Sequence, residues 1–202
     1  MARHYSLKEY RRKRNFSNSP EPRPAKQQDT SGRRFVIQKH DARQLHYDFR
    51  LEINGVLVSW AVPKGLSTDP RTKRLGIQTE DHPLPYADFE GVIPQGEYGA
   101  GTVMVWDQGT YRNLRGNARK GKQRRNMSDA LKEGMLEIWL EGEKLQGGYA
   151  IKRIRNGDKP QWLIIKMKDN KADARRNPVS TEPDSVKTGR NLRQISTEQA
   201  GH

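Results

Sequence analysis

The sequence predicts a mostly β protein: a small antiparallel β-barrel of about eight strands, with short helices and flexible basic termini. Three observations lead there. Apolar residues are only 32% of the 202-residue chain, yet they concentrate between Phe35 and Lys168. Within that stretch, short β-rich runs alternate with turn chemistry. Residues 1–32 and 170–202 hold almost nothing to bury, so packing alone does not offset the entropy of ordering them.

Three regions follow: a basic, Pro-rich arm (1–32), a barrel domain (33–169) and a polar, disordered tail (170–202). In the arm a short basic helix is expected over 6–14, followed by extended Ser19-Pro20-Glu21-Pro22-Arg23-Pro24. Strands are expected at 34–39, 46–53, 56–62, 74–80, 102–107, 135–140, 148–154 and 161–168. Asn54-Gly55 reads as a hairpin turn because both residues tolerate positive φ, and Asn156-Gly157-Asp158 reads as another. One internal helix is expected at 128–133, with Ser128 as its cap. Gly91 to Gly101 is expected to be a tight loop entering the strand at Thr102. It lacks the Gly-Lys-Ser/Thr ending of a nucleotide P-loop.

The formal net charge of +14 favours a polyanionic partner, and the basic residues cluster. Arg11 to Arg14 form one run. Arg112, Arg115, Arg119, Lys120, Lys122, Arg124 and Arg125 form another, without an intervening acid. Such clusters release counterions on meeting phosphates and so bind nucleic acid in a salt-sensitive way. A merely solvated basic loop is the plain alternative. Neither cluster carries an apolar face suited to a membrane surface. The absence of cysteine excludes disulfides, thiolate metal sites and cysteine nucleophiles. No run approaches the roughly 20 apolar residues of a membrane span, and no apolar signal region follows the basic start. A cytoplasmic protein is therefore expected.

Chemistry concentrates in Phe35 to Ile53. From His46 onward the side chains alternate: Tyr47, Phe49, Leu51 and Ile53 on one face, His46, Asp48, Arg50 and Glu52 on the other. The second face presents imidazole, carboxylate, guanidinium and carboxylate in a row. His46 and Asp48 can converge on one ion, and His40 needs only a short turn to join them. Two imidazoles and a carboxylate suit Mn²⁺, Zn²⁺ or Fe²⁺ and leave positions open for substrate; ordinary hydrogen-bonded structural histidines fit the same spacing. Arg50, one pleat beyond Asp48, offers a planar fork for phosphate. Arg74, Gln78 and Glu80 are expected to share a strand face, with His82 and Tyr86 in a Pro-bounded loop beyond. His82 can donate to a phosphate oxygen or act as general acid, and Tyr86 can donate from its hydroxyl; a simple turn is the alternative for His82-Pro83. Lys64 sits where a ligase nucleotidyl-lysine would be sought. The Lys-x-Asp-Gly pattern is absent, which leaves Lys64 as a phosphate contact.

These residues converge on a known family. FVIQKHDARQLHYDFRLEI (35–53), SWAVPKG (59–65), QTEDHPLPYADFEGVIPQGEYGAG (78–101), VWD (105–107), GEKL (142–145) and QWLIIKMK (161–168) resemble the 3′-phosphoesterase domain of bacterial DNA ligase D. The resemblance spans roughly residues 9 to 169, and a stand-alone member is expected. It implies a small β-barrel that removes 3′-terminal ribonucleotides in two metal-dependent steps. A phosphodiester cleavage leaves a 3′-phosphate, and a phosphomonoesterase step leaves a 3′-hydroxyl for end joining. It implies metal binding by His40, His46 and Asp48, typically of Mn²⁺, with Zn²⁺ or Co²⁺ as alternatives. It further implies phosphate contacts from Arg50, His82 and Tyr86. Lys64, Arg74, Glu80 and Gln38 match other functional positions, as do Arg14 and Glu21 in the arm, which would fold over the site. Nucleic acid 3′ ends are the implied substrate; DNA ligase and end-joining proteins are the implied partners. Asn15 departs from the family, which commonly has Asp there, and the basic stretch 112–125 matches poorly.

Two other readings compete. His46-x-Asp48 on a strand with a further His also fits an Fe(II) facial-triad oxygenase, which would consume oxygen. A non-catalytic nucleic-acid-binding barrel needs only basic loops and exposed aromatics, and would bind without turnover.

Overall fold

A computed structural model describes residues 6–24, 32–116 and 126–200. Eight antiparallel strands close into a barrel in the order β1 (Arg34–Asp41), β2 (Leu45–Ile53), β3 (Val56–Val62), β4 (Lys73–Gln78), β9 (Gln161–Lys166), β8 (Gln146–Arg155), β7 (Met135–Gly142) and β6 (Gly101–Asn113). The ring is completed by pairing of β6 with β1. Asn54 and Gly55 both adopt positive φ (50° and 74°) between β2 and β3, as the hairpin signal required. A ninth strand, β5 (Gly91–Ile93), pairs with the first residues of β6. The sequence reading took it for loop, because its three residues are too few to show a period.

Closure gives every strand an inner and an outer face. Phe35, Ile37, Tyr47, Phe49, Leu51, Val58, Trp60, Trp106, Leu140 and Trp162 belong to one apolar cluster that fills the interior. The outer face of β1–β3 is covered too, so β2 is buried on both sides from Tyr47 onward. A second cluster lies over that wall: Val36, Leu57, Val103 and Val105 meet Tyr10, Tyr86, Ala87, Phe89 and Ile93. Tyr10 comes from α1 (Lys8–Arg12), a shorter helix than the expected 6–14. Tyr86 and Ala87 come from the 3₁₀ turn Leu84–Asp88. The polar side chains of β2 are therefore sealed between two apolar layers rather than spread on a solvent face.

Two further expectations are corrected. Helix α2 (Met127–Glu133) is capped by Asn126, whose side chain accepts from Asp129 N at 2.8 Å, not by Ser128. The tail, expected to be disordered, is ordered through residue 200, with short helices α3 (Pro178–Thr181) and α4 (Leu192–Ala200). Pro178 and Ile195 are buried. Trp106 Nε1 donates to Glu182 O at 2.8 Å, and the Lys144 ammonium donates to Glu182 O and Asp184 O. Buried polar groups of the barrel thus find their acceptors in the tail backbone, a contribution that hydropathy does not register. Most of the basic stretch 112–125 (117–125) lies outside the described residues.

Candidate active site

The β1–β2 register sets the centre. His40 lies opposite His46, and Gln38 opposite Asp48. On the other side Asp48 pairs with Ala61, and Arg50 with Ser59. These side chains share the outer face, and the small Ala61 leaves room above Asp48. The resulting cleft, about 260 Å³, is lined by His40, His46, Asp48, Arg50, His82 and Tyr86, with Arg14, Glu80, Thr79, Tyr98 and Gly99 around them.

His40, His46 and Asp48 each aim one donor atom at a common point, all within 4.8 Å of one another. His40 Nδ1 lies 3.5 Å and His46 Nε2 3.7 Å from the Asp48 carboxylate. The remaining ring nitrogens are 2.9 Å from backbone carbonyls, His40 Nε2 from Gly99 O and His46 Nδ1 from Gln44 O. A carbonyl can only accept, so those nitrogens are the donors, and the inward nitrogens are the ones that would ligate a cation. Burial works to raise the Asp48 carboxyl pKa. Arg50, followed by the two imidazoles, outweighs burial and holds it well below the usual carboxylate range. Two imidazoles anchored by carbonyls, with their other nitrogens turned to an ionised carboxylate, form a donor set that suits a divalent cation, and the residues fit such an ion.

Arg50 is buried and fixed from three sides. Nε donates to Gln38 Oε1 (2.8 Å), Nη1 to Ser59 Oγ (2.8 Å) and Nη2 to Asp48 Oδ2 (3.1 Å). Nη1 also lies 3.0 Å from His82 Nδ1, so of the five guanidinium N–H bonds the second on Nη2 is left for an anion. Gln38 Nε2 in turn donates to Tyr86 O and Phe89 O, both at 2.9 Å, so Gln38 orients Arg50 from outside the cleft lining.

The arm supplies a second guanidinium. Arg14 Nε donates to Glu21 Oε1 (2.8 Å) and Nη1 to Glu80 Oε1 (3.1 Å), and Nη2 lies 3.1 Å from His82 Nε2. Tyr86 donates its hydroxyl to Glu21 at 2.9 Å. Burial first, then the Glu21 charge, pushes the Tyr86 phenol well above its ordinary pKa, so it remains a donor. His82 Nδ1 lies 2.9 Å from Glu80 O and 3.0 Å from Arg50 Nη1, while Nε2 faces Arg14 Nη2. Burial, with Arg50 and Arg14 adding to it, depresses the His82 pKa well below the ordinary imidazole value. His82 is thus neutral here and accepts from Arg14, rather than standing as a charged acid.

Not every expected residue joins the site. Gln78 faces the barrel interior, where its Oε1 accepts from Trp162 Nε1 at 3.2 Å. Arg74 lies two pleats back along that face and does not line the cleft, whereas Glu80 lies beyond the strand end and does. The expected shared face of Arg74, Gln78 and Glu80 is broken where β4 stops. Lys64 is exposed in the turn after β3, also outside the cleft. Conversely, Lys13, Ser59 and Tyr98 had not been singled out. Lys13 bonds Glu80 Oε2 at 3.0 Å and Tyr98 Oη at 3.3 Å. Only the long-range register reveals Ser59 beneath Arg50.

Fold and site together define a class: a closed β-barrel whose outer wall carries a His-His-Asp donor set, able to hold a cation, beside two buried arginines. Residues 38–153 match the family model described as the DNA Ligase D 3′-phosphoesterase domain. The "Multifunctional non-homologous end joining protein LigD" of Pseudomonas aeruginosa is 48% identical over 191 residues, 92% of this chain and 22% of that protein. The "Multifunctional non-homologous end joining DNA repair protein LigD" of Mycobacterium tuberculosis is 48% identical over 166 residues, 82% of this chain and 20% of that protein. The chain belongs to the DNA ligase D 3′-phosphoesterase domain family, and it spans about a fifth of the length of these relatives.

Proposed function

We propose that this chain is a divalent-metal-dependent phosphoesterase that processes 3′ ends in end-joining repair. It would remove a terminal ribonucleoside and then the 3′-phosphate left behind. The carrying observation is the buried juxtaposition of a His-His-Asp donor set with Arg50 and Arg14, in a chain of this family. DNA or RNA ends are the proposed substrates, end-joining proteins the proposed partners and the cytoplasm the proposed location. Among the described residues no helix is long and apolar enough to cross a membrane.

His40, His46 and Asp48 would hold the cation, with Mn²⁺ the favoured ion and Zn²⁺ or Co²⁺ as alternatives; it would supply Lewis-acid charge beside the phosphate. The remaining Nη2 N–H of Arg50 and the Arg14 guanidinium would bind the non-bridging phosphate oxygens. Their work grows as charge develops in the transition state, since the fork is already fixed by Gln38, Ser59 and Asp48. A phosphate entering between the guanidiniums would draw Arg14 Nη2 off His82. The freed His82 Nε2 could then receive a proton, now beside an anion, and pass it to a leaving oxygen. Tyr86 keeps its proton and would orient the arm through Glu21. Each cycle adds water across one P–O bond: the first releases the terminal nucleoside, the second inorganic phosphate.

The test is a labelled duplex ending in one 3′-ribonucleotide, incubated with Mn²⁺ or with chelator. Loss of one nucleoside followed by loss of phosphate is expected only with metal. His46→Ala should abolish both steps and lower metal content. Unchanged ends in the presence of each of Mn²⁺, Zn²⁺ and Co²⁺ would overturn the reading.

A further inference from the structure

A second cavity of about 580 Å³ opens directly from the cleft, sharing Ala61, Thr79, Glu80 and Tyr98 with it. It runs along the barrel wall to the β8–β9 turn, where Asp158 and Lys159 form its far side. Nothing in the mechanism above uses it. Two observations mark it as a built site. Tyr98 stands at the lip between the cavities, 48% exposed, on a loop whose flanking Gly96 and Gly99 take φ of +92° and +80°. Its hydroxyl is held by Lys13, whose ammonium also lies 4.6 Å from the ring centroid. An exposed ring fixed at one edge, rather than packed, is a platform for a planar group. Second, Thr79 Oγ1 is buried without a hydrogen-bond partner, in a residue that lines both cavities. Rotation about χ1 would turn that covered oxygen into the cavity, where a ligand hydroxyl or base edge would satisfy it.

We propose that this cavity binds the nucleoside on the 5′ side of the reacting phosphate, with its base stacked on Tyr98 and a polar edge at Thr79. The proposal rests on the phosphoesterase reading. The choice of the 5′ nucleoside follows from the two-step reaction. After the first step the terminal nucleoside is gone, and only the upstream one still tethers the phosphate. A cavity continuous with the phosphate cleft can serve both steps only if it holds the unit that stays. The exposed Lys159 at the far side suits the next phosphate along the strand.

Two measurements test this. The first uses a strand with 2-aminopurine as its penultimate base, titrated in chelator so that no turnover occurs. Wild-type protein should quench the fluorophore on binding; Tyr98→Ala should not, and should bind roughly 10-fold more weakly. Tyr98→Phe should retain the quench, since the ring and not the hydroxyl is the platform. The second compares KM for a 3′-ribonucleotide end and a 3′-phosphate end in Tyr98→Ala. Both should rise by a similar factor, with kcat within about threefold of wild type. A rise confined to the ribonucleotide substrate would put the leaving nucleoside in the cavity and overturn the proposal, as would no rise in either. Because the quench is read without catalysis, a wild-type protein that quenches but never cleaves would sink the phosphoesterase reading alone.

Discussion

Residues 6–24 and 170–198 flank the barrel and are alike in composition, polar and poor in apolar residues. In the arm, Tyr10 is buried on the outer wall, Tyr10 Oη donates to Pro22 O at 2.7 Å, and Arg14 reaches Glu21, Glu80 and His82. The Arg14 and Glu21 side chains are 4% and 0% exposed, so charge is committed inside the cleft. The tail commits backbone instead: carbonyls of Glu182 and Asp184 receive the Trp106 indole and the Lys144 ammonium, and Ile195 joins the interior cluster. Its charged residues otherwise pair with one another and with Glu90, as where Arg176 meets Glu182 and Arg190 meets Glu90 and Glu198. The difference teaches that one composition can be ordered for two ends. Buried charge on the arm lines the cleft, and main-chain acceptors on the tail satisfy buried donors of the barrel.

The largest separation of the two should come from Arg14→Ala. It removes a guanidinium that lines the cleft, leaves Glu21 buried without Arg14 and leaves Glu80 to Lys13 alone. Turnover should fall about 100-fold or more, and the arm should become susceptible to protease while the barrel keeps its unfolding midpoint within a few degrees. Retained turnover with a protected arm would erase the proposed division. Ile195→Ala is the counterpart on the tail. Deleting a side chain buried to 1% should cost about 3 kcal/mol of stability, read by denaturant unfolding, with kcat of the folded protein unchanged. A loss of turnover larger than the loss of folded protein would tie the tail to the site.

Acid should act in opposite directions on the cleft beneath the arm and on the barrel turn at 142–145, whose Lys144 meets the tail. His82 is held neutral against Arg14 and Arg50, so its folded pKa lies below its unfolded value of roughly 6.5. Its stabilisation is complete above that pH and declines as pH falls, by at most about 1.4 kcal/mol per unit. Asp107, which accepts from the backbone N–H groups of Gln108, Glu143, Lys144 and Leu145, has its pKa raised by burial to about 6. The folded protein therefore takes up a proton there between roughly pH 4 and 6, and that contribution weakens as pH rises through the window. Hydrogen exchange at pH 7.5 and 5.5 should show the arm amides loosening on acidification while those of the 142–145 turn do not. Uniform loosening would mean that neither group governs its region.

How much of this was legible beforehand depended on the range of the interaction. The period-two runs located eight of the nine strands, and Asn54-Gly55 located a turn, because both signals are local. His46, Asp48 and Arg50 were readable as a polar stripe on β2, since a strand forces i, i+2 and i+4 onto one side. That the stripe is buried was not readable, because its cover comes from Tyr10, Tyr86 and Phe89, far away in sequence. Gln38 and Glu21 were named only through the family likeness; their work of aiming Arg50 and Arg14 is set by register and arm docking. The tail was misjudged for a related reason: hydropathy counts side chains, and the tail binds largely through its backbone.

The smallest effect should belong to Asn15→Asp. The resemblance set Asn15 apart as a position where the family commonly carries Asp. In the structure Asn15 is exposed at the turn after α1, and its Oδ1 accepts from Ser17 N at 3.1 Å. Asp offers the same acceptor for that turn. The residue does not line the cleft, and any added charge would act on Arg14 through solvent, where a unit charge is screened to well under about 1 kcal/mol. The variant should therefore change kcat for either substrate by less than about threefold and leave stability within about 0.5 kcal/mol. A gain of tenfold or more in one step would mean that the arm moves when substrate binds, bringing position 15 to the phosphate. The arm would then be a reacting element, and its contrast with the tail sharper than the static contacts alone require.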